Sequence, residues 1–227
     1  MKARAFAFAL ALALLPAFAI PQSQPAPSAP APSVLVKAGK LLDVRKGAYI
    51  ENAGIWIEGN RIKEVGRLAE VQAHAPHYTK VIDLSRATVL PGLIDCHTHL
   101  MARFASGDEG YLLAFLRSIQ QAVQQARELG VKIASGYDAG NVTKQGKNAD
   151  ELLALTKRGL PPLEAIRAAT LNAAELMSWQ DRVGALEPGK YADLIAVEGD
   201  PLTDIGVLQQ VEFVMKGGAV VKDSLPH

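Results

Sequence analysis

The sequence predicts an α/β protein with strands at both ends of the folded chain and a helical middle. Apolar and polar residues alternate over much of 34–90 and again over 185–227, while the residues between them show a helical period. Two strand-rich ends around a helical middle favour one small β-sandwich domain assembled from residues 34–90 and 185–227. Residues 91–184 then form a second, α/β part of the chain.

Turn residues divide the strand-rich ends into individual strands. Gly59-Asn60 separates two alternating runs at the position of a tight hairpin turn. Residues 80–84 and 88–90 are two further short strand candidates. Near the other end, the run VEFVMKGGAVVK predicts a second hairpin around Gly217-Gly218.

The middle of the chain contains helical patterns and one strand. Apolar residues over 111–129 recur on one face of a helix. The run VKIASGYDAG indicates a buried strand at 131–135 that opens into a glycine-rich turn. Asn148 and Glu151 have the spacing of a capping box, and Pro161-Pro162 opens the next helix, LEAIRAATLNAAELM.

The first 33 residues have the pattern of a secreted protein. Two basic residues precede an apolar run over 5–15, and Ala17-Phe18-Ala19 fits the small-x-small rule of signal-peptidase cleavage. We expect a signal peptide over 1–19, export to the periplasm or the extracellular space, and no membrane association after cleavage. Residues 20–33 are rich in proline and alanine and predict a semi-extended linker.

Composition excludes several function classes. The chain has 227 residues with 24 Lys plus Arg against 23 Asp plus Glu, so it lacks the positive charge of a dedicated nucleic-acid-binding protein, and no nucleic-acid partner is expected. Its 49% hydrophobic and 21% charged residues are typical of a globular protein. The one cysteine, Cys96, excludes an internal disulfide and any multi-cysteine zinc module.

The strongest chemical signal is the segment PGLIDCHTH, which contains His97 and His99. Residues two apart on a strand point to one face about 7 Å apart, so these imidazoles can converge on a single metal ion. Taken alone, a His-x-His pair is more often incidental than functional. Asp138 follows the strand at 131–135 in a glycine-rich turn, where a carboxylate can serve as metal ligand and general base, although most such aspartates only form turns.

Together these segments resemble the metal-dependent amidohydrolase superfamily, specifically its secreted imidazolonepropionase-like and prolidase-like branch. The resemblance rests on VLPGLIDCHTHL, GVKIASGYDAG, PPLEAIRAATLNAAELM and VGALEPGKYADLIAVEGDPL, with VEFVMKGGAVV near the end. It implies a small β-sandwich beside a (β/α) barrel, of which this chain keeps an incomplete remnant, the first and eighth strands with helices. It also implies hydrolysis of a carbon–nitrogen bond in a small-molecule amide, a cyclic amide or a dipeptide.

The resemblance also implies roles for the site residues. His97 and His99 match the metal-binding pair of the family's first strand, and Asp138 matches the aspartate of the eighth, which binds the metal and takes a proton from the attacking water. The implied cofactor is Zn²⁺ or another divalent metal. The family's other ligands, a lysine or its equivalent on the fourth strand and histidines on the fifth and sixth, have no counterpart here. The usual His-Gly after the aspartate turn is replaced by Gln145-Gly146.

The short interval between these motifs leads to an alternative interpretation. A full barrel takes about 250 residues, so roughly 200 should separate its first and eighth strands. His97 and Asp138 are only 41 positions apart, and strands two to seven do not fit in that interval. The chain is therefore either a metal-dependent hydrolase with a reduced barrel or a catalytically incomplete remnant. Such a remnant, from an internal deletion or a partial gene model, acts at most as a binding or assembly module.

Other candidate ligands and partners follow from the same patterns. Cys96 points away from His97 and His99 by strand alternation, and His74 and His77 lie in a polar stretch that predicts surface exposure. A two-strand remnant exposes unpaired edges and an apolar face, so a homo-oligomer that covers this surface is expected.

Overall fold

The sheet of this protein contains seven strands drawn from both ends of the chain. The computed structural model describes residues 31–97, 120–138 and 145–225, and the structural statements below refer to these ranges. The strands, numbered in chain order, are β1 Ser33–Asp43, β2 Ala48–Glu58, β3 Arg61–Arg67, β4 Lys80–Pro91, β5 Leu194–Val197, β6 Phe213–Lys216 and β7 Ala219–Asp223. Their order in the sheet is β3-β2-β1-β4-β5-β6-β7; β1 and β4 are parallel, and every other neighbouring pair is antiparallel.

The N-terminal and C-terminal strands meet where β4 pairs with β5. The sequence predicted two separate strands at 80–84 and 88–90, but β4 runs through both. Its register against β1 shifts between Ala38 and Lys40, which marks a β-bulge. A side chain at Gly39 would place its Cβ 2.2 Å from the Ser85 carbonyl oxygen, so glycine is needed where the backbones approach this closely.

One face of the sheet encloses the larger hydrophobic cluster. Inward-facing residues such as Val36, Ile55, Leu84, Leu194 and Phe213 are almost completely buried in it. They come from five different strands. Buried positions alternate with more exposed ones in β6 and in parts of β1, β2 and β4, whereas all four residues of β5 are buried. This alternation is the period that the sequence showed at both ends of the chain.

The sequence predicted a small β-sandwich, and the described strands form one continuous hydrogen-bonded sheet. The amide of Ala192 donates to the Asn60 carbonyl at 3.0 Å, and the amide of Ile62 donates to the Lys190 carbonyl at 2.9 Å. These bonds hold the β2–β3 turn against the segment before β5. That turn is the predicted one at Gly59-Asn60, with Gly59 at φ +58. The mixed α/β class is confirmed.

Helices pack against the opposite face of the sheet. The described helices are α1 Leu68–His74, α2 at residues 120–128, α3 Asp150–Lys157, α4 Pro162–Ala168 and α5 Leu171–Leu176, and a 3-10 helix follows at Ile205–Gln209. A second buried cluster joins Leu90 and Ile195 of the sheet to Leu152 of α3 and Ile166 of α4. The sheet and the helical part therefore share a core across the boundary predicted at 90–91.

Helix α2 is the described part of the helix predicted over 111–129, whose first half lies outside the described residues. The predicted signal peptide and most of the predicted linker, residues 1–30, lie outside them as well. Where the chain is described, it contains no helix with the length and apolar character needed to cross a bilayer.

The single helix predicted over 163–177 is wrong, because the structure has two helices, α4 and α5, separated at Thr170. The Thr170 hydroxyl donates to the carbonyl four residues earlier at 2.7 Å. The two carbonyls just before Thr170 accept hydrogen bonds from the amides of Ser135 and Ile94, at 2.9 and 2.8 Å. The break thus provides acceptors for the two segments that carry the predicted site residues.

Candidate metal site

The predicted site residues lie on two neighbouring segments, 92–97 and 131–138. Two main-chain hydrogen bonds join these segments: Cys96 N donates to Ser135 O at 3.0 Å, and Asp138 N donates to His97 O at 2.8 Å. The strands predicted here are wrong, since neither described segment is part of a regular ladder. In a closed barrel each would have a strand on both sides, whereas here amides of both segments are bonded to the turn between α4 and α5.

The structure brings His97 and Asp138 together. Nε2 of His97 lies 3.8 Å from Oδ2 of Asp138, and the side chains are 60% and 43% exposed. Two ligands of one tetrahedral zinc ion, with bonds of about 2.1 Å, are about 3.4 Å apart. The observed separation is close to that value, so these two atoms fit a shared divalent metal.

The third predicted ligand, His99, lies outside the described residues. Within the described ranges, no cluster of three or more His, Cys, Asp or Glu side chains has the spacing of a metal site. The described part of the site therefore consists of one imidazole and one carboxylate.

Gly136 allows the two segments to approach each other, a role that the sequence analysis did not identify. A Cβ atom at Gly136 would lie 2.7 Å from the Cβ of His97 and 3.3 Å from its main-chain nitrogen. Real Cβ atoms do not approach other atoms so closely, so any side chain here would push the segments apart. The signal in the sequence was a glycine two residues before Asp138.

Asp95 connects three parts of the site, and this role was also missed. Its Oδ1 accepts hydrogen bonds from the main-chain amides of His97 and Tyr137, both at 3.1 Å. Its Oδ2 accepts a hydrogen bond from the side-chain amide of Asn148 at 2.6 Å. The sequence predicted Asn148 as a helix cap; instead, Ala149 is the N-cap of α3, with no side-chain capping bond.

Burial and the charge of Asp95 change the acidity of neighbouring groups. Burial, with a smaller contribution from Asp95, raises the pKa of the Cys96 thiol. Its Sγ lies 3.9 Å from the Ala173 carbonyl oxygen of helix α5. Burial also raises the pKa of Glu151; Arg158 opposes this shift and Asp95 adds to it.

The remaining residues from the sequence analysis lie away from this pair. His74 contacts the exposed Glu64 carboxylate at 3.0 Å and His77 is exposed, so the predicted surface positions of both are confirmed. Gln145-Gly146, in place of the family's His-Gly, forms a turn.

A cleft of about 540 Å³ opens beside the loop that carries Asn148. Leu93, Asn148 and Asp150 line one part of it, and Ile195 and Val214 of the sheet line another. His97 and Asp138 are not among its lining residues. The cleft therefore does not enclose the His97–Asp138 pair. It is connected to the pair indirectly, because its lining residue Asn148 donates a hydrogen bond to Asp95.

Comparisons with known proteins relate this chain to amidohydrolases. A model of the amidohydrolase family matches residues 115–221, a range that includes Asp138 but not His97. Ochratoxinase from Aspergillus niger is 42% identical over 116 residues, which are 49% of this chain and 24% of that protein. Adenine deaminase from Rubrobacter xylanophilus is 38% identical over 73 residues, 31% of this chain and 12% of that protein. The matched part of the chain thus spans about a quarter or less of these relatives.

Solved structures show the same fold. A Xaa-Pro dipeptidase with bound methionine aligns with a TM-score of 0.71 and 18% identity, over 84% of this chain and 100% of that chain. The A. niger ochratoxinase structure aligns with a TM-score of 0.70 and 17% identity, over 86% of this chain and 96% of that chain.

The described sheet and helices therefore have an amidohydrolase type of fold. The family match over residues 115–221 and the 42% identity to ochratoxinase over 116 residues relate this part of the chain to the amidohydrolase superfamily.

Proposed function

We propose that this protein is a metal-dependent hydrolase of carbon–nitrogen bonds in small molecules. The observation that carries the proposal is the 3.8 Å approach of His97 Nε2 to Asp138 Oδ2 in a chain related to the amidohydrolase superfamily. His97 and Asp138, with His99 as the third ligand, would hold Zn²⁺ or another divalent metal. The metal supplies Lewis acidity that polarises the scissile carbonyl.

In this proposal Asp138 is also the general base. Its carboxylate is partly exposed, so solvent reaches it directly. Oδ2 would accept the proton of the attacking water and pass it to the leaving nitrogen, which is general base and then general acid catalysis by one group. The main-chain bond from the Asp138 amide to the His97 carbonyl, at 2.8 Å, fixes the position of the base relative to the ligand.

The proposed substrates are amides, cyclic amides and dipeptides. The relatives support this range, because they include a Xaa-Pro dipeptidase and ochratoxinase, which is 42% identical over 49% of this chain.

Hydrolysis of a panel of dipeptides, cyclic amides and lactones, with added zinc, tests the proposal. Asp138→Asn keeps the shape of the side chain but removes the base, so turnover should fall by at least about 100-fold. Asp181→Asn is the matched control, because Asp181 is a surface carboxylate that is 70% exposed, and it should leave turnover unchanged. Background rates for the unaltered protein with every metal tried would contradict the proposal.

The second candidate function is that of a catalytically incomplete remnant that acts as a binding or assembly module. Two observations favour it: only two candidate ligands meet within the described residues, and the matched segment is 24% of ochratoxinase. It predicts no turnover with any divalent metal. Reading the encoding DNA between the codons for Arg117 and Gln121 would show whether about 200 codons are missing there.

A homo-oligomer is a further proposal, which holds for either candidate function. Leu129, Val131 and Leu176 are exposed apolar side chains, and their burial against a second copy would remove them from water. Light scattering of the purified protein tests this; a monomer at all concentrations would contradict it.

Export is a separate proposal, which rests on the N-terminal sequence alone. Cleavage near Ala19 would release a protein that begins with the proline-rich linker. Mass spectrometry of the exported protein tests it, since an intact N-terminus would contradict cleavage.

A further inference from the structure

We propose that Asp95 is a positioning residue that holds His97 and Asp138 at the separation of two metal ligands. The inference rests on the metal site of the proposed function, but it concerns a residue that is not itself a ligand in that site. It is carried by three hydrogen bonds to one carboxylate.

The first two bonds connect the ligand segments. Oδ1 of Asp95 accepts from the amide of His97 and from the amide of Tyr137, the residue directly before Asp138. The segments share two main-chain hydrogen bonds, and Asp95 adds a third connection immediately next to both proposed ligands. Hydrogen bonds to an ionised acceptor are about twice as strong as neutral ones, so this connection is a substantial part of what joins the segments.

The third bond orients the carboxylate. Asn148 donates to Oδ2 at 2.6 Å, which leaves Oδ1 directed at the two main-chain amides. Asn148 lies just before helix α3, and that helix packs into the buried cluster through Leu152 and Leu155. The position of the ligand pair is thereby connected to the core of the protein.

The same contacts argue against Asp95 as a ligand itself. Oδ1 already accepts two N–H donors and Oδ2 accepts a third, so a metal ion would compete with these donors for the carboxylate. The effect of Asp95 on a metal is therefore expected to pass through the positions of His97 and Asp138.

Three variants of the full-length protein test the proposal, with zinc affinity and amide hydrogen exchange as readouts. Asp95→Ala removes all three bonds and should weaken zinc binding about 10- to 100-fold, the range seen when residues that support a metal ligand are lost. It should also speed exchange of the His97 and Tyr137 amides. Asn148→Ala removes only the orienting bond and should have a smaller effect. Asp181→Ala is the surface control and should behave as the unaltered protein.

Asp95→Asn separates positioning from ligation and from charge. Asparagine keeps an oxygen for the two main-chain amides, and Asn148 can rotate its side-chain amide to keep the third bond. Zinc affinity should therefore stay within about fivefold of the unaltered protein, because only the charge assistance is lost. A fall as large as that of Asp95→Ala would overturn the proposal, since it would mean that the carboxylate charge itself binds the metal.

The readouts distinguish this inference from the proposed function. If the unaltered protein binds zinc and Asp95→Ala binds it equally well, the inference is wrong and the metal site stands. If the unaltered protein does not bind zinc, the proposed function is wrong, and hydrogen exchange alone decides the inference. Unchanged exchange of the His97 and Tyr137 amides in Asp95→Ala would then overturn it.

Discussion

Gly136 lies directly against His97 where the two segments of the candidate site meet. The distance of 2.7 Å between a Cβ built at Gly136 and the Cβ of His97 leaves no room for a methyl group. The geometry of the pair therefore depends on the absence of a side chain at residue 136, and not only on the presence of the two ligands.

We expect Gly136→Ala to weaken zinc binding by about tenfold or more, because the added methyl group moves His97 away from Asp138 and metal sites tolerate displacements of only about 0.5 Å. Isothermal titration with zinc measures this effect. Gly92→Ala is the control, since a Cβ there meets its nearest neighbour, the Cβ of Asp193, at an ordinary 3.4 Å. Equal zinc affinities for the two variants would contradict the steric argument.

Residue types at the site could be predicted from the sequence, but their bonds could not. The His-x-His spacing and the glycine-rich turn identified His97 and Asp138 as candidates, and the structure brings them to 3.8 Å. The role of Asp95 depends on Tyr137 and Asn148, which are 42 and 53 positions away along the chain. No local pattern specifies which side chain will meet an amide so distant in sequence.

Lys190 holds the connection between helix α5 and strand β5. Only 5% of this residue is exposed, and its Nζ donates to the carbonyls of Gln180 and Val183 at 2.6 and 3.1 Å. The carboxylate of Glu187 lies 3.4 Å away. The buried ammonium group of Lys190 therefore donates hydrogen bonds to two carbonyls of a connection that has no regular secondary structure.

We expect Lys190→Met to lower the free energy of unfolding by about 1 to 3 kcal/mol, because it leaves buried carbonyls without a donor. Lys63→Met is the control: Lys63 pairs with Glu58 at 3.1 Å on the surface and should cost less than about 1 kcal/mol. Urea unfolding of both variants measures the difference. Equal losses for Lys190→Met and Lys63→Met would show that the buried contacts contribute little.

Elements that depend on local sequence could be predicted, and those that depend on neighbours could not. The turn at Gly59-Asn60 was predictable because a tight hairpin requires glycine at a positive φ, and Gly59 has φ +58. The strand predicted at 131–135 is wrong because, within the described ranges, Ser135 bonds to Cys96 and to the turn between α4 and α5 and not to a regular strand. The helix break at Thr170 was missed because carbonyls there accept bonds from Ser135 and Ile94, both far away along the chain.

At the scale of the whole molecule, the sheet is the part of the amidohydrolase fold best represented in the described residues. The N-terminal and C-terminal strands form one sheet through the β4–β5 pair. A second buried cluster connects this sheet to helices α3 and α4. Residues matched in ochratoxinase are only 24% of that protein. We propose that His97 and Asp138 form a metal site beside this sheet.

Equilibrium titration of the purified protein with zinc, beside its His97→Ala variant, tests this claim most directly. We predict one zinc ion bound per chain, and loss of that binding in His97→Ala, because the remaining carboxylate cannot hold the ion alone. Circular dichroism of both proteins should be the same, since the His97 side chain is 60% exposed and outside the core. A protein that purifies without metal and takes up no added zinc, or a His97→Ala variant that binds zinc as tightly as the unaltered chain, would contradict the claim.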